Sequence, residues 1–192
     1  MHRLPPPGLI SNPLRQVRRI LRQLRGRRGA GAVEFALVAP VFFLFLGIIL
    51  DNGLLLFQQA ILDSATADAA RLIRTGQAQQ SADALTTFKT RLCNDLSSFI
   101  GCSNIQFNVL SNSSFSALNT TVVSDGHGAL KTKDSNGNLI ATAFSPGVPS
   151  SDVFIQVAWN RPYMVPWVSN MANPHGTQLM VSTIAFRNEI YK

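Results

Sequence analysis

Arg27-Arg28-Gly29-Ala30-Gly31-Ala32-Val33-Glu34-Phe35 joins a basic leader to an almost unbroken apolar run, with one carboxylate among the small residues of the junction. Upstream lie Arg3, Arg15, Arg18, Arg19, Arg22, Arg25, Arg27 and Arg28, and no Asp or Glu precedes Glu34. Downstream, the chain from Phe35 to Leu50 is apolar apart from Pro40 and Gly47, and after Asp51-Asn52-Gly53 it resumes with Leu54-Leu55-Leu56-Phe57. A spanning helix needs about 20 residues at about 1.5 Å each, so residues 30–57 suffice for a transmembrane segment if Glu34 and Asp51 lie near opposite interfaces. The arginine bias then assigns residues 1–29 to the cytoplasm as a leader and residues 58–192 to the external side.

The formal charge of +7 is a property of that leader. Without its eight arginines, nine basic residues face ten acidic ones. So neutral a body supplies no basic footprint for phosphates, and nucleic acid is not an expected partner. The leader's charge is better used in setting topology and meeting anionic membrane lipid.

Past the membrane the helical period continues, with Ile61, Leu62, Ala65, Ala69, Leu72 and Ile73 on one stripe and Asp63, Asp68, Arg71 and Arg74 elsewhere. The first helix is therefore expected to run from Ala30 to about Thr75, apolar and then amphipathic, and to stop at Gly76. Pro40 removes one of its backbone hydrogen bonds and is expected to kink it. Ser81 is placed to cap a second helix with Asp83 in the first turn, its apolar face being Leu85, Phe88, Leu92, Leu96 and Phe99.

Alternation then marks strands at 105–109, 153–159 and 179–186, with shorter ones at 120–124 and 139–144. The turn-rich stretches between them predict an antiparallel sheet with exposed loops. The fold class read from this order is α+β: a long N-terminal helix, a second helix and a small antiparallel sheet in an external head. Between the last two long strands, Pro162-Tyr163-Met164-Val165-Pro166-Trp167-Val168 is too proline-rich for a regular strand. Tyr163 and Trp167 either cover the core, which the rarity of exposed apolar clusters favours, or contact a partner.

Cys93 and Cys102 are the only two cysteines, late in the second helix and just before the first strand. Their external placement allows a disulfide whose short loop contributes about 2–3 kcal/mol. A metal site is not expected from two cysteines at this spacing, and no cofactor is implied. His2, His127 and His175 lie in separate stretches without a nucleophile motif, so no catalytic residue is assigned and the chain does not read as an enzyme.

Gly31-Ala32-Val33-Glu34-Phe35-Ala36-Leu37-Val38-Ala39-Pro40 and, further on, Ala65-Thr66-Ala67-Asp68-Ala69-Ala70-Arg71-Leu72-Ile73-Arg74-Thr75-Gly76 resemble the TadE-like family of tight-adherence (Flp) pilus proteins. Ala185-Phe186-Arg187-Asn188-Glu189 is similar to the end of many such proteins. The chain departs from the family pattern at Ile190, where a proline is more usual, and at Asp51-Asn52-Gly53, where an acidic residue, an aromatic and a glycine are. The resemblance implies a prepilin-like precursor, cut between Gly29 and Ala30 by a prepilin peptidase so that Glu34 becomes the fifth residue. It further implies a TadE- or TadF-type minor pilin or pseudopilin whose partners are other pilins or pseudopilins and the pilus assembly platform. Its place would be the inner membrane as a single-pass protein, with entry into the pilus open.

In that reading glycine at position 29 leaves the scissile bond unhindered, and the Glu34 carboxylate, costly at the edge of hydrocarbon, meets the new ammonium of Ala30 on a neighbouring subunit. A carboxylate placed favourably near a helix N-terminus with access to the interface is the alternative account of Glu34, over which the resemblance favours the assembly role. A secretory signal peptide is disfavoured by the long leader and by the distance of Ser64-Ala65-Thr66-Ala67 from the apolar run. The competing class is an unprocessed, single-pass external binding or sensory module, which needs only the charge bias and the hydrophobic length.

Overall fold

The computed structural model describes residues 27–96, 100–118, 123–125, 128–133, 139–140, 142–164 and 177–191. The chain divides into two compact units, Met1–Gly47 and Ile48–Lys192. In the first, the described residues are helical from Arg27 onward, and Val33, Phe35, Leu37, Val38, Val41, Phe42, Phe43 and Phe45 are exposed. These are the residues that a hydrocarbon solvent, rather than water, would favour as an outer surface.

Helix α1 spans Arg27–Arg74 and passes through Pro40 without interruption. In the second unit it presents Leu62, Ala65, Ala69 and Ile73 to the core. The alanines on this stripe are buried in that core, whereas Asp63, Asp68, Arg71 and Arg74 stay outside. Helix α2, Ala84–Asp95, adds Phe88 and Leu92. Its N-cap is Asp83, whose carboxylate accepts from the Leu85 and Thr86 backbone N–H groups at 3.0 and 3.3 Å. Ser81 was the expected cap; instead its hydroxyl donates to the Ala78 carbonyl at 2.6 Å, within the turn that joins the helices. The Thr86 hydroxyl first, and the backbone N–H groups with it, hold the Asp83 carboxyl below its usual range. Leu85, expected on the apolar face, is largely exposed, and Phe99 lies outside the described residues.

The architecture is α+β, as the element pattern predicts. Strands β1 (Ile105–Asn112), β5 (Asp152–Pro162) and β6 (Thr177–Arg187) form an antiparallel sheet in the order β1-β5-β6. Val157 is paired with Phe107 on one side and Ser182 on the other. One face of this sheet, carrying Val109, Val153, Ile155, Val157, Trp159 and Met180, packs into the core with α1 and α2. Phe88, Phe107 and Phe144 fill its α2 end, with ring centroids 5.5 to 6.2 Å apart.

A second antiparallel sheet holds β2 (Val123–Ser124), β3 (Leu130–Lys133) and β4 (Leu139–Ile140). Strand β3 was not expected, because Leu130-Lys131-Thr132-Lys133 holds a single apolar residue and shows no alternation. The expected strand at 139–144 is divided: Phe144 forms a separate parallel bridge to Val109. Gln106 ties the two sheets together, donating to the Gly128 carbonyl at 2.9 Å and accepting from the Leu130 N–H at 2.7 Å.

The C-terminal segment docks on the end of α1. The Glu189 N–H donates to the Arg74 carbonyl at 2.9 Å, and the two side chains pair at 3.2 Å. Asn188 is buried and donates through its amide to the carbonyls of Pro146 and Val148. Gly76 ends the helix at φ +81°, and a Cβ there would come within 2.3 Å of the Tyr191 ring. Gly76→Ala is therefore expected to lose about 1–2 kcal/mol from the left-handed backbone alone, and more from displacing the ring. Thermal unfolding of the full chain in detergent checks this; an unchanged midpoint would show that the tail does not pack on the helix end.

Candidate functional site

Two carboxylates mark the apolar helix, one in each compact unit. Glu34 is exposed, in the second turn after Arg27-Arg28-Gly29-Ala30, whose side chains are not among the described ones. Gly29 and Ala30 belong to the first turn of α1. A Cβ at Gly31 would meet nothing within 4 Å, so this part of the helix has room for a close neighbour. Glu34 thus stands one turn beyond the Gly29–Ala30 bond, on a surface that is otherwise apolar.

Asp51 is in the opposite condition. In the second unit it faces the sheet, buried, where Arg161 from the end of β5 meets it. Arg161 Nη2 lies 2.5 Å from Asp51 Oδ1 and 3.2 Å from the Asp51 carbonyl oxygen, and Nη1 lies 3.4 Å from Oδ2. Arg161 Nε donates to Gln58 Oε1 at 2.7 Å, and the Met164 N–H donates to Asp51 Oδ1 at 3.3 Å. The side chains are 1 % and 9 % exposed for Arg161 and Asp51. An ion pair so removed from water gains little net stability from its formation, yet it makes each partner indispensable to the other.

The helical period explains the geometry. Asp51, Gln58, Leu62, Ala65 and Ala69 succeed one another at spacings of seven, four, three and four, which keeps them on one side of a helix. The polar pair Asp51 and Gln58 thus begins the same stripe that continues as core. Sequence reasoning singled out Asp51 without its partner. The available signal was a lone carboxylate in an apolar run, which calls for a cation, together with Arg161 at the end of the apolar strand 153–159.

The remaining predicted sites are dispersed. Pro40 is an exposed residue of α1 in the first unit. Cys93 in α2 and Cys102 in the short turn before β1 are joined by a disulfide, with Cα atoms 5.5 Å apart. Tyr163 is half-buried beside the Arg161 end of β5, while Trp167, His2, His127 and His175 lie outside the described residues. Among the described residues, no cluster of three or more His, Cys, Asp or Glu is placed to hold a metal. The family-like blocks at 65–76 and 185–189, far apart in sequence, meet through the Arg74–Glu189 contacts.

Among the described residues one helix, Gly31–Arg74, is long and apolar enough to cross a membrane. Residues 29–71 match the family model described as TadE-like protein. This match begins at Gly29 and takes in Glu34, Asp51, Gln58 and the alanine stripe; the rest of the head is beyond it. Neither the curated proteins nor the solved structures include a match to the chain.

Proposed function

We propose that the chain is a pilin-like structural protein, a TadE- or TadF-type minor pilin or pseudopilin, that serves the assembly of a tight-adherence pilus. The observation that carries this reading is the family match beginning at Gly29 on a helix whose following surface is apolar and exposed around a single carboxylate. In the proposed pathway the arginine-rich leader stays in the cytoplasm, α1 crosses the inner membrane, and the head lies outside. A prepilin peptidase cuts between Gly29 and Ala30. The released ammonium of Ala30 then pairs with Glu34 of a neighbouring pilin or pseudopilin on the assembly platform, satisfying a carboxylate that is costly in hydrocarbon.

The N-terminus and intact mass of the membrane-purified protein, with and without the peptidase, test the pathway. A peptidase-dependent start at Ala30 supports it. A retained leader in both samples overturns it in favour of an unprocessed, membrane-anchored binding or sensory module. Glu34→Ala is expected to insert and to be processed normally while its incorporation into assemblies falls, because only the inter-subunit pairing is lost. Co-purification of the variant with partner pilins at the wild-type level would remove that role from Glu34.

A further inference from the structure

The apolar surface of α1 extends past the point where the head takes hold of it. Ile49, Leu50, Leu56 and Phe57 are exposed, Leu56 by 69 %. At 100° per residue Ile49 and Leu56 lie opposite Asp51, and Phe57 stands about 9 Å beyond Asp51 along the helix axis. Asn52 and Gly53 interrupt this surface, with the Asn52 amide donating to the Ile48 carbonyl at 2.8 Å, and from Asp63 onward the outward positions are polar, Asp63, Ser64 and Asp68 being exposed. The side of the helix that calls for hydrocarbon therefore runs alongside the stretch from Asp51 to Gln58 that Arg161 grips on the other side.

Arg161 brings the end of β5 down to that level. Beyond it Pro162 is exposed, Tyr163 is half-buried and Met164 is 65 % exposed. The bond from the Met164 N–H to Asp51 Oδ1, 3.3 Å long, fixes the tip beside the helix. Residues 162–164 carry no charge, and the two charges beneath them neutralise each other inside the protein.

We propose that the tip of the head, Arg161–Met164, is seated in the outer leaflet of the bilayer beside α1, with Met164 at the boundary between headgroups and acyl chains. The inference rests on the membrane-anchored reading of α1 and adds a second point of lipid contact. A methionine, a proline and a tyrosine form an uncharged, amphipathic end suited to that boundary, where tyrosine is enriched. The Asp51–Arg161 pair is then a neutral clasp at a depth where either charge alone would be expensive. By holding the tip to the helix it fixes the height of the head above the membrane.

Nitroxide labels at Met164→Cys, Leu56→Cys and Val148→Cys test the seating. The full chain, its native disulfide kept intact, is reconstituted into vesicles of phosphatidylcholine and phosphatidylglycerol. Val148 is exposed and precedes the far end of β5, about 35 Å of strand away from the tip. Collisions with oxygen, which concentrates in hydrocarbon, are compared with collisions with a water-soluble nickel chelate. The expected result is oxygen preference at 164 and at 56, with the order reversed at 148. Chelate preference at 164 beside oxygen preference at 56 would overturn the seating and leave the anchor standing. Chelate preference at 164 and 56 together would likewise overturn the seating, and chelate preference also at a label within the span, Phe42→Cys, would overturn the anchor as well. Shielding from both reagents at 164 would also overturn the seating, assigning the tip to contact with a second copy of the chain.

Discussion

Arg161→Ala is expected to destabilise the head by about 3–5 kcal/mol, because it leaves the Asp51 carboxylate buried without its cation. Gln58 would lose its donor in the same step, since Arg161 Nε donates to Gln58 Oε1 at 2.7 Å. Asp51→Ala should produce a loss of similar size by stranding the guanidinium, which is 1 % exposed. The double variant Asp51→Ala/Arg161→Ala should cost markedly less than the sum of the two, for neither charge then remains to be solvated. Equilibrium unfolding of the full chain in detergent, monitored through tryptophan fluorescence, reads all three. Additive losses would contradict the coupling, as would a single Arg161→Ala effect no larger than that of an exposed ion pair, at most about 1 kcal/mol.

The same pair marks where the sequence ceases to be legible. A helix with two successive periods, a second helix and three long strands all follow from local pattern, because each element repeats its own apolar spacing over many residues. The pairing of Asp51 with Arg161 does not, since it joins positions 110 residues apart through the register of a sheet. Strand β3 escaped for a different reason: Leu130–Lys133 is too short to display a period, and the wider fold rather than propensity makes it a strand. The capping of α2 shifted from Ser81 to Asp83 because either residue offers a suitable oxygen, and only the packing of Phe88 and Leu92 decides where the helix begins.

At the N-terminal end the legible part was chemical rather than geometric. Eight arginines, a glycine and a carboxylate are recognisable without coordinates, and the family match starts at that glycine. The structure contributes the environment: Glu34 exposed on an apolar helix, against Asp51 buried and paired. The two carboxylates are thereby distinguished. One is committed within its own head, while the other remains accessible to a neighbour.

Gly29→Val is expected to abolish conversion to the shorter species. A β-branched side chain at the residue preceding the cut would occupy space that a membrane-embedded protease needs around the scissile carbonyl, whereas glycine leaves it open. The change lies upstream of Glu34 and the whole apolar segment, so insertion and topology should persist under the unchanged arginine bias. In the proposed pathway, processing removes eight arginines from a chain of formal charge +7, leaving −1, and would therefore be readable by isoelectric focusing as well as by mass. The precursor of the variant should accumulate in the membrane at the basic position whether or not the peptidase is present. A wild-type-sized acidic product from Gly29→Val would mean that the bond is cut elsewhere, and Glu34 would then lose its place as the fifth residue of the mature chain. With it would go the argument that the Ala30 ammonium is the carboxylate's partner.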